Sequence, residues 1–251
     1  MGVLKNKVAI ITGGNSGIGK AAAKLFVENG GARVVITARR QDVLDNAVSE
    51  IGGGDVVGIC GDVSDLAHHK RVAEEVSRRF GGFDIYFANA GVIDLKPSEA
   101  ISEASYDRHF DVNTKGVFFG VQTLLPLMRD GGTILVTSSL AATKVLPDHT
   151  VYAGSKAAVV AFVKNWALEL KNRRIRANVI SPGPTDTEIL GKLGMPDAER
   201  GPFLSKMAET IPAGRMGTSE ELAEAALFLA SDASGFINGI DLHVDGGMGL
   251  I

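Results

Sequence analysis

Short apolar runs alternate along this chain with longer segments of helical periodicity, and few features restrict a fold as strongly. Strand-like runs fall near 7–12, 33–37, 55–60, 83–87, 132–137, 175–180 and 239–244, and helix-like segments near 17–29, 41–51, 64–80, 103–128, 151–171 and 219–230. The run Val8-Ala9-Ile10-Ile11 is apolar at every position, as a strand covered on both faces must be. Strands joined through helices cross over right-handedly and run parallel, with helices on both sides. The spacing predicts an α/β fold with a doubly wound parallel sheet of seven strands, order 3-2-1-4-5-6-7, and a ligand outside the carboxyl ends of the strands. With 251 residues, 45% of them hydrophobic, the chain can bury such a core in one domain, 1–251. There are no repeats, low-complexity tracts or linkers to divide it.

The first strand leads into Thr12-Gly13-Gly14-Asn15-Ser16-Gly17-Ile18-Gly19, and then into the helix-like Lys20-Ala21-Ala22-Ala23-Lys24-Leu25-Phe26-Val27. Strand, glycine turn and helix in that order form a phosphate site. The glycines allow close backbone approach, and the helix start offers unpaired N–H groups with a positive dipole end. The spacing, with glycines at 13, 17 and 19, departs from the common G-x-G-x-x-G. About twenty residues further on, where an acidic residue would accept from a ribose 2′-hydroxyl, stand Ala38-Arg39-Arg40. An arginine fork matches a 2′-phosphate, which favours NADP(H) over NAD(H). The alternative is a solvated pair of charges at a helix start.

Ser139 is followed after twelve residues by Tyr152-Ala153-Gly154-Ser155-Lys156. A phenol and an ammonium four residues apart share one helix face. A free tyrosine, with a pKa of about 10, is inert at neutral pH, and a nearby cation draws it toward the working range. Ser139 ends the apolar strand 132–137 and adds a hydroxyl beside the phenol, giving an oxyanion clamp with a proton donor. Chance pairing on a solvated helix face is the competing reading; the position after the glycine turn raises the catalytic one.

Together these motifs resemble the short-chain dehydrogenase/reductase family, of the NADP-preferring carbonyl reductase or secondary alcohol dehydrogenase type, from Lys7 to Gly247. Further motifs fall in family order: Asp62-Val63, Asn89-Ala90-Gly91, Phe110-Asp111-Val112-Asn113, Ser181-Pro182-Gly183 and Val244-Asp245-Gly246-Gly247. Ala88 replaces a second asparagine, a change that concerns support of the central strand more than chemistry. The resemblance implies a Rossmann-type fold and a catalytic tetrad of Asn113, Ser139, Tyr152 and Lys156. Tyr152 would exchange the proton with the carbonyl oxygen, Ser139 would fix that oxygen, and Lys156 would depress the phenol and bind the nicotinamide ribose. Asn113 would hold a water leading to solvent, and hydride would leave the pro-S position, with no metal involved. Thr12 would brace the turn; Gly13, Asn15, Ser16, Gly17, Ile18 and Gly19 would line the phosphates and adenosine. Asp62 and Val63 would frame the adenine, with a turn role for Asp62 equally open. Asn89, Ala90 and Gly91 would run beneath the ribose, and Pro182, Gly183 and Thr187 would hold the carboxamide.

The segment 184–217 breaks the alternation with Pro184, Pro196, Pro202 and Pro212, and with Ile189, Leu190, Leu193, Met195, Phe203, Leu204 and Met207 between them. A connection this long is commonly functional. The family reading is a lid over a substrate with hydrophobic substituents, against simple packing on the core. Val117, Phe118, Val121, Leu124, Val159, Phe162, Val163 and Trp166 place apolar residues on more than the sheet-facing side of two helices, and with the resemblance they imply a homotetramer.

The net charge of −3 argues against nucleic acid or an anionic membrane as main partner. One cysteine, Cys60, excludes an internal disulfide and a cysteine-based metal site, and reads as a buried small hydrophobe. The N-terminus has no secretory pattern, and no stretch is long enough to span a bilayer, so the cytoplasm is the expected location. The five histidines do not group; His149 alone lies near the tyrosine, where it could touch substrate, although a solvated loop position is the expectation. Two other activities stay open. One is a 3-oxoacyl carrier-protein reductase, with Arg129, Lys171, Arg173 and Arg174 docking the carrier. The other is an NADP(H)-sensing regulator, against which the intact Ser139, Tyr152 and Lys156 argue.

Overall fold

The computed structural model describes residues 2–29, 31–52, 56–187 and 197–251. Its strands are β1 (Val8–Thr12), β2 (Arg33–Ala38), β3 (Val56–Cys60), β4 (Phe83–Ala88), β5 (Met128–Thr137), β6 (Arg176–Pro182) and β7 (Asp241–Val244). They form one sheet in the order β3-β2-β1-β4-β5-β6-β7, every pair parallel, as the alternation predicts. Around it lie α1 (Gly17–Glu28), α2 (Gln41–Ile51), α3 (Leu66–Phe80), α4 (Glu103–Phe110), α5 (Gly116–Leu124), α6 (Thr150–Glu169), α7 (Asp197–Thr210) and α8 (Ser219–Ala230).

Successive side chains of a strand point to opposite faces, and β1 divides the core accordingly. Ala9 and Ile11 pack with Ala22 and Phe26 of α1, Leu44 of α2 and Leu222, Ala226 and Leu229 of α8. Val8 and Ile10 pack with Val72 and Val76 of α3, Val117 and Val121 of α5 and Val159, Val163 and Trp166 of α6. At the amino ends the buried Asp84 carboxylate ties three strands together. It accepts from the Val8 N–H at 2.9 Å and from Arg129 at 2.7 Å, with Lys7 3.6 Å away. Register then aligns the carboxyl ends: Thr12 lies beside Thr37, and Ala88 beside Val136.

Four local readings change. The helix expected over 103–128 is interrupted by a π-helical turn at Asp111–Lys115 and closes with a 3₁₀ turn, Leu125–Leu127, around Pro126. Proline cannot donate the next helical hydrogen bond, and Met128, expected to end the helix, instead starts β5 opposite Phe83. Helix α7, with Pro202 inside it, occupies part of the segment where no helix was read, since prolines and glycines obscure its period. The helix expected from residue 64 starts at Leu66, capped by the Asp65 carboxylate on the Ala67 N–H. Finally, Val117, Val121, Leu124, Val159, Val163 and Trp166 are buried within the protomer, so they are not the surplus that association was argued from; Phe118 and Phe162 stay partly exposed. Ile189, Leu190, Leu193, Met195 and Pro196, and the side chain of Phe203, lie outside the described residues.

Candidate active site at the carboxyl end of the sheet

The carboxyl ends of β1, β2, β4, β5 and β6 open on one cavity of about 710 Å³, lined by residues of both motifs. Of the site residues named from the sequence, all but Thr12, Gly19 and Asn113 border it. Those three are buried behind the wall.

At one end the turn is held by backbone. Gly13, at φ +67°, and Gly14 both donate to the Thr37 carbonyl, at 2.9 and 3.2 Å. A Cβ on Gly19 would stand 2.3 Å from the Gly13 oxygen and 2.6 Å from Asn89 Nδ2, so only glycine lets α1 start this close to the turn. Ser16 is the N-cap of α1, its side chain makes no capping bond, and the first turn carries no acid. The first N–H groups of a helix have no partner within it, and here Ser16, Gly17 and Ile18, which carry the first of them, line the cavity. This cradle has the donor chemistry of a pyrophosphate site. Thr12 Oγ1 accepts from the N–H groups of Asn89 and Ala90, each at 3.0 Å, so the side chain expected to brace the turn holds the 89–91 strip.

Arg39 and Arg40 border the same end. Arg39 lies 3.7 Å from the Asp62 carboxylate, and both are partly exposed. Asp62 also accepts from the Ser64 N–H at 2.9 Å and hydroxyl at 2.8 Å, which is the turn role left open for it. Cys60 is partly exposed rather than buried, its thiol donating to the Arg39 carbonyl at 3.4 Å.

The other end is built from side chains on separate elements. Ser139 caps the turn Leu140–Ala142, its Oγ accepting from the Ala141 N–H at 3.2 Å. Helix α6 presents Tyr152 and Lys156 to the cavity. Lys156 is buried, and its Nζ donates to the Thr137 carbonyl at 2.8 Å. Burial pushes its pKa down to about 8, because the charged form is poorly solvated there. Burial pushes the Tyr152 phenol up, and the Ser139 hydroxyl opposes that rise. The lowering expected from Lys156 does not offset it: desolvation is the dominant influence on the phenol.

Asn113 sits in the π-helical turn. Its Oδ1 accepts from the Val92 N–H at 2.8 Å, and its Nδ2 donates to the Val92 carbonyl and to Ser155 Oγ, both at 3.0 Å. Ser155 donates in turn to the Tyr152 carbonyl at 2.7 Å, and Ser138 to the Lys156 carbonyl at 3.0 Å. The two serines pin α6 to the π-turn and to β5. Sequence reading passed over both, although Ser155 stands inside the Tyr-Lys motif. A Cβ on Gly91 would fall 3.3 Å from Lys156 Nζ and 3.4 Å from Asn113 Oδ1, so this glycine separates the two.

Two histidines flank the phenol, of which the sequence placed only His149 near it. The His109 ring is 6.3 Å and the His149 ring 6.1 Å from that of Tyr152, both edge-on. His109 is buried, Nδ1 2.7 Å from the Ser105 carbonyl and Nε2 accepting from the Asp94 N–H at 3.1 Å. His149 borders the cavity instead of standing in solvent. Val92, Ile93, Leu95, Leu140, Leu146, Met207 and Met248 complete a largely apolar wall at this end.

A family model described as enoyl-(acyl carrier protein) reductase matches residues 13–249. The chain is 40% identical over 254 residues to the oxidoreductase asL5 of Sarocladium schorii, covering 99% of this chain and 98% of that one. It is 38% identical over 249 residues to the 3-oxoacyl-[acyl-carrier-protein] reductase FabG of Thermotoga maritima, covering 98% of each. Among solved structures, a 3-ketoacyl-(acyl-carrier-protein) reductase of Brucella melitensis, complexed with NADH, superimposes with a TM-score of 0.90 at 32% identity, covering 98% of this chain and 99% of that one. With the sheet order, the glycine turn and the Ser139, Tyr152 and Lys156 cluster on one cavity, these matches identify the chain as an oxidoreductase of the short-chain dehydrogenase/reductase family.

Proposed function

We propose that the protein transfers hydride between NADP(H) and a ketone or secondary alcohol with hydrophobic substituents. The observation that carries this reading is the meeting of Ser139, Tyr152 and Lys156 with an apolar wall at one end of a cavity whose other end holds a glycine turn and two arginines. Residues 13 and 15–19 would hold the pyrophosphate, Arg39 and Arg40 the 2′-phosphate, Asp62 and Val63 the adenine, Asn89, Ala90 and Gly91 the ribose region, and Pro182, Gly183 and Thr187 the carboxamide. The nicotinamide supplies the hydride acceptor or donor. Tyr152 gives its phenolic proton to the carbonyl oxygen during reduction, and Ser139 donates a hydrogen bond to the same oxygen. Lys156 binds ribose hydroxyls and stabilises the phenolate left behind. Asn113 holds the strip at Val92 and the α6 serine in place, with one Oδ1 lone pair left for a water.

We place the segment 184–217 as a lid on one domain; Met207 of α7 already borders the cavity. We also propose a cytoplasmic homotetramer, now argued from the partly exposed Phe118 and Phe162 and from the family, and checked by light scattering at micromolar concentration. Among the described residues no helix is long and apolar enough to cross a membrane.

A second reading, 3-oxoacyl carrier-protein reductase, is favoured by the Thermotoga and Brucella relatives. Of the four basic residues that carrier docking would use, Arg129, Lys171, Arg173 and Arg174, two do not support it. Arg129 is paired with Asp84, and Arg173 with Asp130 and the carbonyls of Leu125 and Met128. Both stand at the amino ends of strands, a sheet length from the cavity mouth. The test is initial rates for NADPH and NADH with an aryl ketone panel and an acyl-carrier thioester. Ketone turnover with NADPH upholds the first reading; thioester turnover alone upholds the second.

A further inference from the structure

We propose that His149 is a specificity residue that accepts a hydrogen bond from a hydroxyl on the carbon next to the reacting one, so that the favoured substrates are α-hydroxyketones and, in the oxidative direction, vicinal diols. The proposal rests on the ketone-reductase reading above and narrows its substrate class.

Three observations carry it. First, the ring is fixed. His149 is the N-cap residue of α6, and its carbonyl accepts from the Ala153 N–H at 2.7 Å. The preceding Asp148 holds a positive φ of 61°, and its carbonyl accepts from the Lys96 N–H at 3.1 Å. Second, the tautomer is fixed. Nδ1 stands 2.5 Å from the Pro147 carbonyl, and a carbonyl only accepts, so Nδ1 carries the proton. The neutral ring then has one acceptor, Nε2, and among the described residues nothing donates to it. Third, the residue borders the cavity beside Tyr152, edge-on at 6.1 Å between ring centres.

Ile93, Leu95, Leu140, Leu146 and Met207, which line the same cavity, offer no hydrogen bond from their side chains. An acceptor covered by a purely apolar substituent loses its water and gains nothing in return. A site with such an acceptor therefore discriminates against the analogue that lacks the hydroxyl more strongly than an apolar wall discriminates by size. Tyr152 and Ser139 serve the reacting oxygen, while His149, one residue before α6 begins, is placed for the oxygen on the adjoining carbon.

The test compares propiophenone with its 2-hydroxy analogue, using the full chain and NADPH. Wild-type kcat/KM is expected to favour the hydroxyketone by about tenfold or more, the size of one hydrogen bond to a buried partner. In His149→Leu that ratio should fall toward one, and in His149→Gln, which keeps an acceptor, it should stay above the leucine value. Thermal melts and NADPH fluorescence titration check that both variants fold and bind cofactor. A wild-type ratio near one overturns the proposal, and so does a ratio that survives His149→Leu while both rates fall together, the signature of a merely structural residue. A wild type that prefers the corresponding 2-oxo acid overturns it too, since that would call for a charged partner. Turnover of propiophenone without any His149 dependence defeats this proposal alone; turnover of neither ketone defeats the reading on which it rests.

Discussion

The two ends of the cavity are built by different means. At the adenosine end, contiguous backbone does the work: residues 12–19 run straight from β1 into α1, and the critical contacts are glycine approaches and N–H donors. At the substrate end, the groups come from β5, α6, the π-turn and α7, and they are held by side-chain bonds between residues more than forty positions apart, such as Asn113 with Ser155. An end made of backbone is sensitive to added volume and tolerant of lost functional groups. An end made of side chains is the reverse.

Tyr152→Phe should break the substrate end most completely. Removing the proton donor is expected to lower kcat by about 10²–10⁴-fold, with the NADPH dissociation constant nearly unchanged by fluorescence titration. Retention of more than about a tenth of the activity would remove Tyr152 from the acid role.

Arg39→Asp takes away one of the few side chains on which the adenosine end depends. A charge-assisted bond to a 2′-phosphate contributes on the order of 1.5–3 kcal/mol, so kcat/KM with NADPH should fall by roughly 10- to 100-fold, while NADH is spared. The new carboxylate would stand near Asp62, which already faces Arg39 at 3.7 Å. An unchanged NADPH efficiency would reject the phosphate assignment, and a wild type that prefers NADH would reassign the cofactor.

Gly19→Ala adds a single methyl at the backbone end. Its placement 2.3 Å from the Gly13 oxygen demands a shift, at about 1–3 kcal/mol for overpacking. The cost should appear as a lower Tm and weaker binding of both cofactors, with the NADPH-to-NADH ratio kept. A change in that ratio would blur the contrast between the two ends.

The smallest readout is the pH dependence of stability in Lys156→Met, measured apart from the loss of rate that its proposed role implies. The folded pKa of about 8 lies below the unfolded value of 10.5. Between these the unfolded chain holds more protons, so the parent protein gains stability as pH rises from about 8 to 10.5. The variant lacks that gain. The Tm difference, parent minus variant, should therefore increase by a few degrees across this window in scanning fluorimetry, and a flat difference would mean that the ammonium is not desolvated.

The same contrast explains what could be read from the sequence. The sheet order and the glycine turn were legible because they depend on local runs and short spacings. Helix α7 was not, because Pro202 hides its period and propensity gave no start signal. His149 was legible by its nearness in sequence to Tyr152, but His109 was not, because its place there depends on how α4 packs against α6 and a histidine on a polar segment carries no periodic mark. The upward push of burial on the phenol was not legible: the Lys156 charge is visible in the sequence, whereas burial is a property of the assembled site. The supposed apolar surplus on α5 and α6 was largely core, since two helices that pack on a sheet and on each other bury more than one stripe.

The π-turn at Asp111–Lys115 stores its information as a count of residues. An α-helix advances about 100° per residue, so a chain one residue shorter here could run an unbroken helix from Glu103 to Leu124. The helices before and after the turn would keep their mutual orientation, so Val117 and Val121 could hold their places in the core, but the widened turn that carries Asn113 to Val92 would be gone. A deletion that leaves every named catalytic side chain in the sequence would still dismantle the site. At this point of the chain the number of residues carries information that a point-substitution scan would not detect.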